Sequence, residues 1–284
     1  MIARLHAGEA GRVEAFLRAR GEAAMFLRSH LELAGLPSPP RAEASLWAGS
    51  RADGELDGVG VHAWNGVLLL AAPGPIAGAL AHWLALESQR QVTAVQGPSE
   101  AVAAALAALG LDEAPTLLAT LHTLMAADTR QIALPAALVL GEVKVRQPYA
   151  HELDRLIAWR VAAAREAGES GDEGEFRAVA DREIRELRPR EHQFVALSEG
   201  EPVAMASFNA VLADAVQVGT VFVPPDRRGR GYGRCAVAAA LMRARERGVL
   251  RASLHVDPGN ASAIAAYESL GFTAVGEQRL AVFG

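Results

Sequence analysis

The sequence predicts an α/β protein made of two sandwich domains in tandem, each with a mixed, mostly antiparallel sheet flanked by helices. The length of 284 residues is about twice that of a common single domain. Hydrophobic residues make up 51% of the chain, which is enough to fill two buried cores. Helix and strand signals alternate in both halves. We therefore expect one domain over residues 1–138 and a second over residues 139–284.

The second half carries the clearer pattern of alternating elements. Its strand at 250–256 alternates apolar and polar residues, as a half-buried strand does. A longer strand, Val216–Val223, is predicted to run without interruption into a loop rich in Arg and Gly. The predicted elements are, in order, helices at 149–166 and 173–188, strands at 194–197, 203–208 and 216–223, a helix that ends at Gly248, a strand at 250–256, a helix that ends at Gly271, and a final pair of short strands at 272–276 and 280–283.

The first half repeats this order more loosely. Trp64-Asn65-Gly66 predicts a tight turn between two strands. A helix at 76–87, a strand at 92–96 and a helix at 100–109 are expected to follow. Where the second half has its Arg and Gly loop, residues 72–78 read Ala-Pro-Gly-Pro-Ile-Ala-Gly, without Arg. We interpret the first half as a degenerate copy of the second, and an unrelated α/β domain is the alternative.

The most distinctive segment of the chain runs from Val221 to Arg234. A strand signal stops at two prolines, and four arginines and three glycines follow before the next helix begins. Glycines let backbone N–H groups approach a ligand closely. A helix start adds unpaired N–H groups and the positive end of the helix dipole. The segment predicts a pyrophosphate-binding loop, and an arginine-rich surface turn is the alternative.

Two common phosphate-binding loops do not match this segment. The P-loop pattern G-x-x-x-x-G-K-[ST] does not occur in the sequence. The dinucleotide pattern G-x-G-x-x-G is met by Gly229 and Gly231, but Arg234 stands where the third glycine is required. The next strand also lacks the expected acidic residue, because Arg251 and Ser253 occupy that region.

A different loop does match. Arg228, Gly231 and Gly233 form R-x-x-G-x-G, and Val223 and Pro225 form a V-x-P that precedes it. This combination resembles the acyl-CoA loop of the GNAT superfamily of N-acyltransferases. The match extends to a second patch downstream, made of Asn260, Tyr267, Leu270, Gly271 and Phe272, in the order and spacing of that superfamily.

The resemblance covers residues 143–284 and implies a GNAT-like sandwich there, with the first half as a second, degenerate copy. It implies an N-acetyltransferase that uses acetyl-CoA as cosubstrate, transfers the acetyl group directly to a primary amine, and needs no metal. The strand residues Val221 and Val223 are expected to pair with the pantetheine arm. The implied cofactor-binding residues are Val221, Phe222, Val223, Arg228, Gly229, Arg230, Gly231, Tyr232, Gly233, Arg234 and Asn260.

Tyr267 is the catalytic residue that the resemblance implies. A phenol has a pKa of about 10 and a thiol one of about 8.5, so full proton transfer to a thiolate is unfavourable. We therefore expect Tyr267 to donate a hydrogen bond to the leaving thiolate. The alternative is a tyrosine that only packs on an apolar helix face. Asn260 has a simpler alternative role as the N-cap of its helix.

The general base is not determined by the sequence. Many GNAT members place a carboxylate on the strand before the loop, and residues 216–221 contain none. Asp214 at the start of that strand and His255 on the next one are candidates. We favour a relay of water molecules without a dedicated base.

The acceptor is expected to be a small amine or an amino acid. Glu166, Glu169, Asp172, Glu173 and Glu175 crowd the turn between the first two helices of the second half, where a cationic amine is possible and a solvated acidic loop is the alternative. The ending after Gly271 resembles that of glycine N-acyltransferase-like proteins. The alternative function is a catalytically silent acyl-CoA-binding regulatory module.

Composition narrows the remaining possibilities. A net charge of −5 argues against nucleic-acid binding. The single cysteine, Cys235, excludes an intramolecular disulfide and is expected to pack in the core. Neither a membrane span nor a signal-peptide core is evident, so we expect a cytoplasmic protein. We expect a small-molecule partner and neither a nucleic acid nor a membrane, with homodimer formation left open.

Overall fold

The computed structural model describes residues 1–36, 44–168, 172–187 and 190–284. They divide into two compact units, residues 1–124 with 276–284 and residues 125–275. The strands are β1 (Ile2–Arg4), β2 (Leu46–Ala52), β3 (Glu55–His62), β4 (Val67–Ala71), β5 (Ala94–Pro98), β6 (Leu118–Asp128), β7 (Val143–Arg146), β8 (Gln193–Ser198), β9 (Glu201–Val211), β10 (Ala215–Val218), β11 (Arg251–Val256) and β12 (Thr273–Val282). The α-helices are α1 (Ala10–Arg18), α2 (Met25–Ala34), α3 (Gly74–Ser88), α4 (Ser99–Leu109), α5 (Ala136–Val139), α6 (Leu153–Glu166), α7 (Glu173–Leu187), α8 (Tyr232–Glu246) and α9 (Ala261–Glu268).

The first unit is a sheet with a pair of helices on each face. Its strands lie in the order β1-β2-β3-β4-β5, followed by residues 278–282 of β12. All neighbouring pairs are antiparallel except β4 with β5, which is parallel. Apolar side chains of α1 and α2 pack around Trp47 on one face, and those of α3 and α4 pack around Leu68 and Leu70 on the other.

The second unit has the same kind of layered architecture. β7, β8, β9 and β10 are antiparallel neighbours, and β10 pairs with β11 in parallel. The helix α8 covers one face with a row of buried small residues, among them Ala236 and Ala240. The helices α6 and α7 cover the other face, where Ile157 and Ile184 pack with Met205 of β9. The predicted α/β class with mixed, mostly antiparallel sheets is confirmed.

Two details of the prediction are wrong. The strand expected over 216–223 ends at Val218, because an irregularity follows that is described below. The expected final pair of short strands is the single strand β12, in which Gly276 stays outside the left-handed backbone region and does not make a turn. Sequence patterns also missed α2, β2, β6 and β7. Within the described parts of the chain, no helix combines the length and apolarity that a bilayer crossing requires.

Candidate active site

The segment that follows β10 contains a β-bulge. The N–H of Gly219 donates to the carbonyl oxygen of Ser207 on β9 at 2.7 Å. Further along, Phe222 and Met205 exchange two backbone hydrogen bonds, of 3.0 Å and 2.9 Å. The chain therefore advances three residues between these two contacts, while β9 advances two. One residue between Gly219 and Phe222 has no partner on β9, as in a β-bulge.

The strands β10 and β11 part at the same level. Their parallel pairing ends with Val218 opposite Leu254. Since Phe222 directs both its N–H and its C=O towards β9, the backbone groups of Val221 and Val223 point to the opposite side. That side is where β11 no longer pairs. The result is an exposed strand edge of the kind that accepts an added strand.

The Arg and Gly loop then turns the chain into α8. Gly231 is the N-cap of this helix at a φ of +77°, a left-handed conformation that favours glycine. The first bond of the helix runs from Cys235 N–H to the Gly231 carbonyl, so the N–H groups before it lack a helical partner. A Cβ at Gly233 would lie 3.3 Å from Val223 Cγ2, which shows how closely the helix start approaches the strand.

Strand edge, loop and helix start enclose a cleft of about 540 Å³, which we call the α8 cleft. Its walls come from residues 221–223, residues 227–229 and 231–234, and the helix α9. Every predicted cofactor-binding residue lines it except Arg230, which is exposed outside it. Tyr267 lines it as well. The other lining residues are Glu166, Arg227, Ser262, Ala263, Ala265 and Ala266.

Arg228 makes contacts in the α8 cleft that the sequence did not indicate. Its Nη2 donates to both carboxylate oxygens of Glu166 at 2.7 Å, and its Nε donates to the carbonyl oxygen of Val223 at 3.0 Å. Both charged side chains are about half exposed, at 47% and 48%. A carboxylate at the end of α6 thus neutralises the arginine of the R-x-x-G-x-G motif.

The other polar residues of the cleft are also held by neighbours. Arg234 donates through Nη1 to Ser269 Oγ at 3.2 Å. Asn260 accepts the N–H of Ala263 at 3.0 Å through Oδ1, so it is the N-cap of α9. The hydroxyl of Tyr232 donates to Ser198 Oγ at 3.3 Å, and this bond is the main cause of a lowered pKa of Tyr232.

Tyr267 lies on α9 and is partly buried. Its ring packs edge-on against Phe272, with the ring centres 6.0 Å apart. Burial raises the pKa of Tyr267 to about 12, because the phenolate would be poorly solvated there. The phenol therefore stays protonated at neutral pH and can donate a hydrogen bond, although it is a poorer acid than an exposed tyrosine.

The two candidate bases lie in different places. Asp214 precedes β10, seven residues before Val221, which is about 23 Å away along an extended strand. Its carboxylate approaches Arg251 at 4.0 Å. His255 follows Leu254 directly, so it stands where β10 and β11 part.

Two acidic residues at the turn between α6 and α7 are engaged by neighbouring groups. Glu173 accepts a hydrogen bond from Arg165 at 2.7 Å, and Asp172 accepts the N–H of Gly174 at 2.7 Å, while Glu169 lies outside the described residues.

Cys235 is 1% exposed, and burial raises the pKa of its thiol, as expected for a packing residue. Across the described ranges, no group of three or more His, Cys, Asp or Glu side chains is placed to hold a metal ion.

Comparison with known proteins supports an acetyltransferase. Residues 153–272 match the model of the acetyltransferase (GNAT) family. Similar curated proteins are the mycothiol acetyltransferases of Thermobispora bispora, with 46% identity over 57 residues, and of Nocardiopsis dassonvillei, with 31% identity over 126 residues. These matches cover 20% and 40% of this chain and 19% and 38% of the respective relatives. The chain thus aligns with well under half the length of the curated relatives it matches.

Solved structures agree on the fold. A GNAT-family acetyltransferase from Colwellia psychrerythraea covers all of both chains with a TM-score of 0.58 and 14% identity. A tandem GNAT protein from the clavulanic acid biosynthesis pathway covers 100% of this chain and 98% of its own, with a TM-score of 0.58 and 16% identity. At these identities the likeness concerns the fold alone.

Proposed function

We propose that this chain, whose residues 153–272 match the acetyltransferase (GNAT) family, transfers an acetyl group from acetyl-CoA directly to the primary amine of a small molecule. The observation that supports this is the composition of the α8 cleft. An exposed strand edge, a loop of N–H donors and a protonated phenol line the same 540 Å³ of space. These are the three groups that binding and cleavage of a CoA thioester require.

The loop and the start of α8 are suited to the pyrophosphate of acetyl-CoA. Gly229 and Gly231 both have positive φ angles, a backbone conformation that occurs in anion-binding concavities of N–H groups. The dipole of α8 adds partial positive charge at the same point. Arg227, Arg228 and Arg234 line the cleft and supply the charge, while Arg230 lies outside it and is proposed only as a peripheral contact.

The strand edge is suited to the pantetheine arm and the thioester. Val221 and Val223 offer backbone groups to the arm in the manner of an added strand. In the proposed reaction the amine nitrogen attacks the thioester carbonyl carbon, and the N–H of Val221 stabilises the charge that develops on the carbonyl oxygen. The carbon–sulfur bond then breaks, and Tyr267 donates a hydrogen bond to the departing thiolate.

The amine must lose a proton before or during attack. An alkylamine with a pKa of about 10.4 is only about 0.1% neutral at pH 7.4. We propose that water carries this proton to solvent, since β10 supplies no carboxylate and Asp214 lies near the opposite end of the strand. His255, at the point where β10 and β11 part, is the residue whose removal tests this choice most directly.

For the acceptor we propose a small amine or an amino acid. The mycothiol acetyltransferases among the relatives make the form of mycothiol that lacks its acetyl group the first compound to test. The matches cover less than half of those proteins, so glycine, cysteine and glucosamine belong in the same panel. Homodimer formation stays a prediction.

We further propose that the first half, residues 1–138, is a degenerate GNAT-like copy that has lost acyl-CoA binding, and that residues 139–284 form the catalytic domain. The likeness of the whole chain to a solved tandem GNAT protein supports this proposal. So does the order of elements in the first unit, where β4, α3, β5 and α4 follow one another as β10, α8, β11 and α9 do in the second.

The proposal is tested with the full chain, acetyl-CoA and the amine panel, with free CoA thiol as the readout. Amine-dependent thiol release by the wild type, reduced in Tyr267→Phe, supports the enzyme with Tyr267 in its assigned role. Tight acetyl-CoA binding without thiol release in the presence of any of these amines would favour the silent binding module instead. Absence of binding would overturn both.

A further inference from the structure

We infer that Ser207 is a positioning residue for the acetyl transfer, because it holds the bulge from which the N–H of Val221 points into the α8 cleft. This inference rests on the proposed function. Ser207 lies on β9, outside the motifs that identify the cofactor site, and it does not line the cleft. Its role is therefore indirect, through the backbone of the neighbouring strand.

Ser207 contacts two successive residues of the bulge. Its carbonyl oxygen accepts the N–H of Gly219 at 2.7 Å, and its Oγ accepts the N–H of Thr220 at 3.0 Å. In a regular antiparallel ladder a residue binds its partner strand through backbone groups alone. The serine hydroxyl here replaces the ladder bond that the extra residue removes. The side chain is 3% exposed, so water competes little for this bond.

Thr220, whose N–H is held by the Ser207 hydroxyl, directly precedes Val221. Downstream, the paired backbone bonds between Phe222 and Met205 fix the other end of the bulge. Val221 is thus held between two anchors, and its N–H direction follows from both. A catalytic N–H donor must keep its position within about 0.5 Å to stabilise an oxyanion, so loss of one anchor affects the reaction more than it affects binding.

Variants at Gly219 and Asn209 allow a second, independent test of the same bulge. The Asn209 side chain lies across Gly219, and a methyl group at position 219 would overlap its amide. Asn209 is exposed and can be displaced, so Gly219→Ala is tolerated by the fold while it pushes against the strand beside the bulge. Removing the amide in the double variant Asn209→Ala/Gly219→Ala takes that pressure away.

The test uses the full chain and acetyl-CoA labelled with ¹³C at the thioester carbonyl. Infrared spectroscopy reports polarisation of the bound carbonyl as a shift to lower frequency, and this readout needs no acceptor. We expect the wild type and Ser207→Thr, which keeps the hydroxyl, to show the shift. Ser207→Ala is expected to lose most of it while its Kd for acetyl-CoA stays unchanged.

Kinetics and controls complete the experiment. With an accepted amine, we expect Ser207→Ala to lower kcat by about 10- to 100-fold with KM for acetyl-CoA unchanged. Gly219→Ala should lower kcat in the same way, and the added Asn209→Ala should restore it. The matched control is Ser253→Ala, a serine that is 1% exposed on β11 and whose Oγ has no hydrogen-bond partner among the described residues. It should leave the carbonyl shift intact.

The outcomes separate this inference from the proposed function. If the wild type does not bind acetyl-CoA, the proposed function fails and takes the inference with it. If the wild type binds and shows the shift, and Ser207→Ala shows the same shift and the same kcat, the inference alone is overturned. Melting temperatures of all variants identify any loss of activity that comes from unfolding.

Discussion

Two strand–helix–strand–helix segments of this chain have the same order of elements and differ in whether a cleft opens between their strands. In the second unit, β10 and β11 part after Val218, and the α8 cleft lies beyond that point. In the first unit the paired residues of β4 and β5 end with Leu69 opposite Gln96, but the two backbones stay in contact one residue further, where a Cβ on Gly97 would lie only 2.7 Å from the carbonyl oxygen of Leu70. A parallel pair that does not open leaves no free edge for a ligand.

The two helices of the first segment also lie in direct contact with each other. A Cβ on Gly78 of α3 would lie 2.9 Å from the carbonyl oxygen of Ala104 in α4, so these helices are in backbone contact. At the start of α3, the side chain of Glu100 lies against Gly74, where its negative charge is near the positive end of the helix dipole. The comparison indicates that a helix start alone is not an anion site, because the strands beside it must also part to leave room for a ligand.

The largest effect is expected from Gly231→Glu. A glutamate at this position would have to adopt a φ of +77°. It would also place a carboxylate at the start of α8, where the pyrophosphate is proposed to bind. We expect acetyl-CoA affinity to fall by more than about 1,000-fold, since the added carboxylate repels the pyrophosphate and the strained backbone misdirects the N–H donors. Isothermal titration measures this.

Gly248→Glu is the matched control for that variant. Gly248 follows the other end of α8, also has a positive φ, +90°, and has no atom near its missing side chain. The strain is similar and the α8 cleft is untouched. Equal loss of affinity in both variants would mean that destabilisation of α8 explains the effect, and not damage to the pyrophosphate-binding loop.

Tyr267→Phe is expected to reduce kcat by about 100-fold with unchanged acetyl-CoA affinity, because only the hydrogen bond to the leaving thiolate is removed. Steady-state thiol release checks this. Tyr149→Phe is the control, since Tyr149 is exposed, does not line the cleft and should leave kcat unchanged. An unchanged kcat in Tyr267→Phe would remove this residue from the mechanism.

The pH profile provides a separate test of Tyr267. Its pKa is raised to about 12, so the protonated, donating form persists as pH rises and is lost only near that value. We therefore expect no alkaline loss of kcat from this group up to about pH 10. An alkaline limb near pH 9 that disappears in Tyr267→Phe would contradict the buried, protonated phenol.

A smaller effect is expected from Glu166→Gln. The carboxylate neutralises Arg228 in the cleft and would repel a pyrophosphate, so its loss should tighten acetyl-CoA binding by about two- to fivefold, as half-exposed ion pairs contribute little. The gain should shrink at high salt. Glu173→Gln breaks a similar ion pair with Arg165 away from the cleft and should leave the Kd unchanged. Weaker binding in Glu166→Gln would mean that Glu166 instead orients Arg228 for the ligand.

The smallest effect is expected in the first unit. Glu100→Gln removes a negative charge near the start of α3 and should lower the free energy of unfolding by about 0.5 kcal/mol. Denaturant titration measures the loss. Acetyl-CoA stoichiometry should stay the same, because β4 and β5 remain paired. A new binding site in this variant would show that Glu100 alone closes the first unit.

Most residues that the sequence singled out line the α8 cleft, whereas the contacts within the cleft were not indicated by the sequence. Gly231, Gly233 and Tyr267 lie in local motifs whose spacing carries their geometry, and all three line the α8 cleft. The Arg228–Glu166 pair joins residues 62 positions apart, and no local pattern indicates it. The bulge after β10 depends on pairing with β9, so the apolar run of residues 216–223 looked like one strand. The two short strands expected at 272–276 and 280–283 are likewise one continuous strand, β12.

The most direct test of the account is the stoichiometry of acetyl-CoA binding by calorimetric titration of the wild-type chain. The account predicts one molecule per chain, because one of the two segments opens a cleft and the other is closed by its own strands and helices. A stoichiometry of two would show that the first unit also binds acyl-CoA. No binding at all would mean that the α8 cleft, despite its lining, is not an acyl-CoA site.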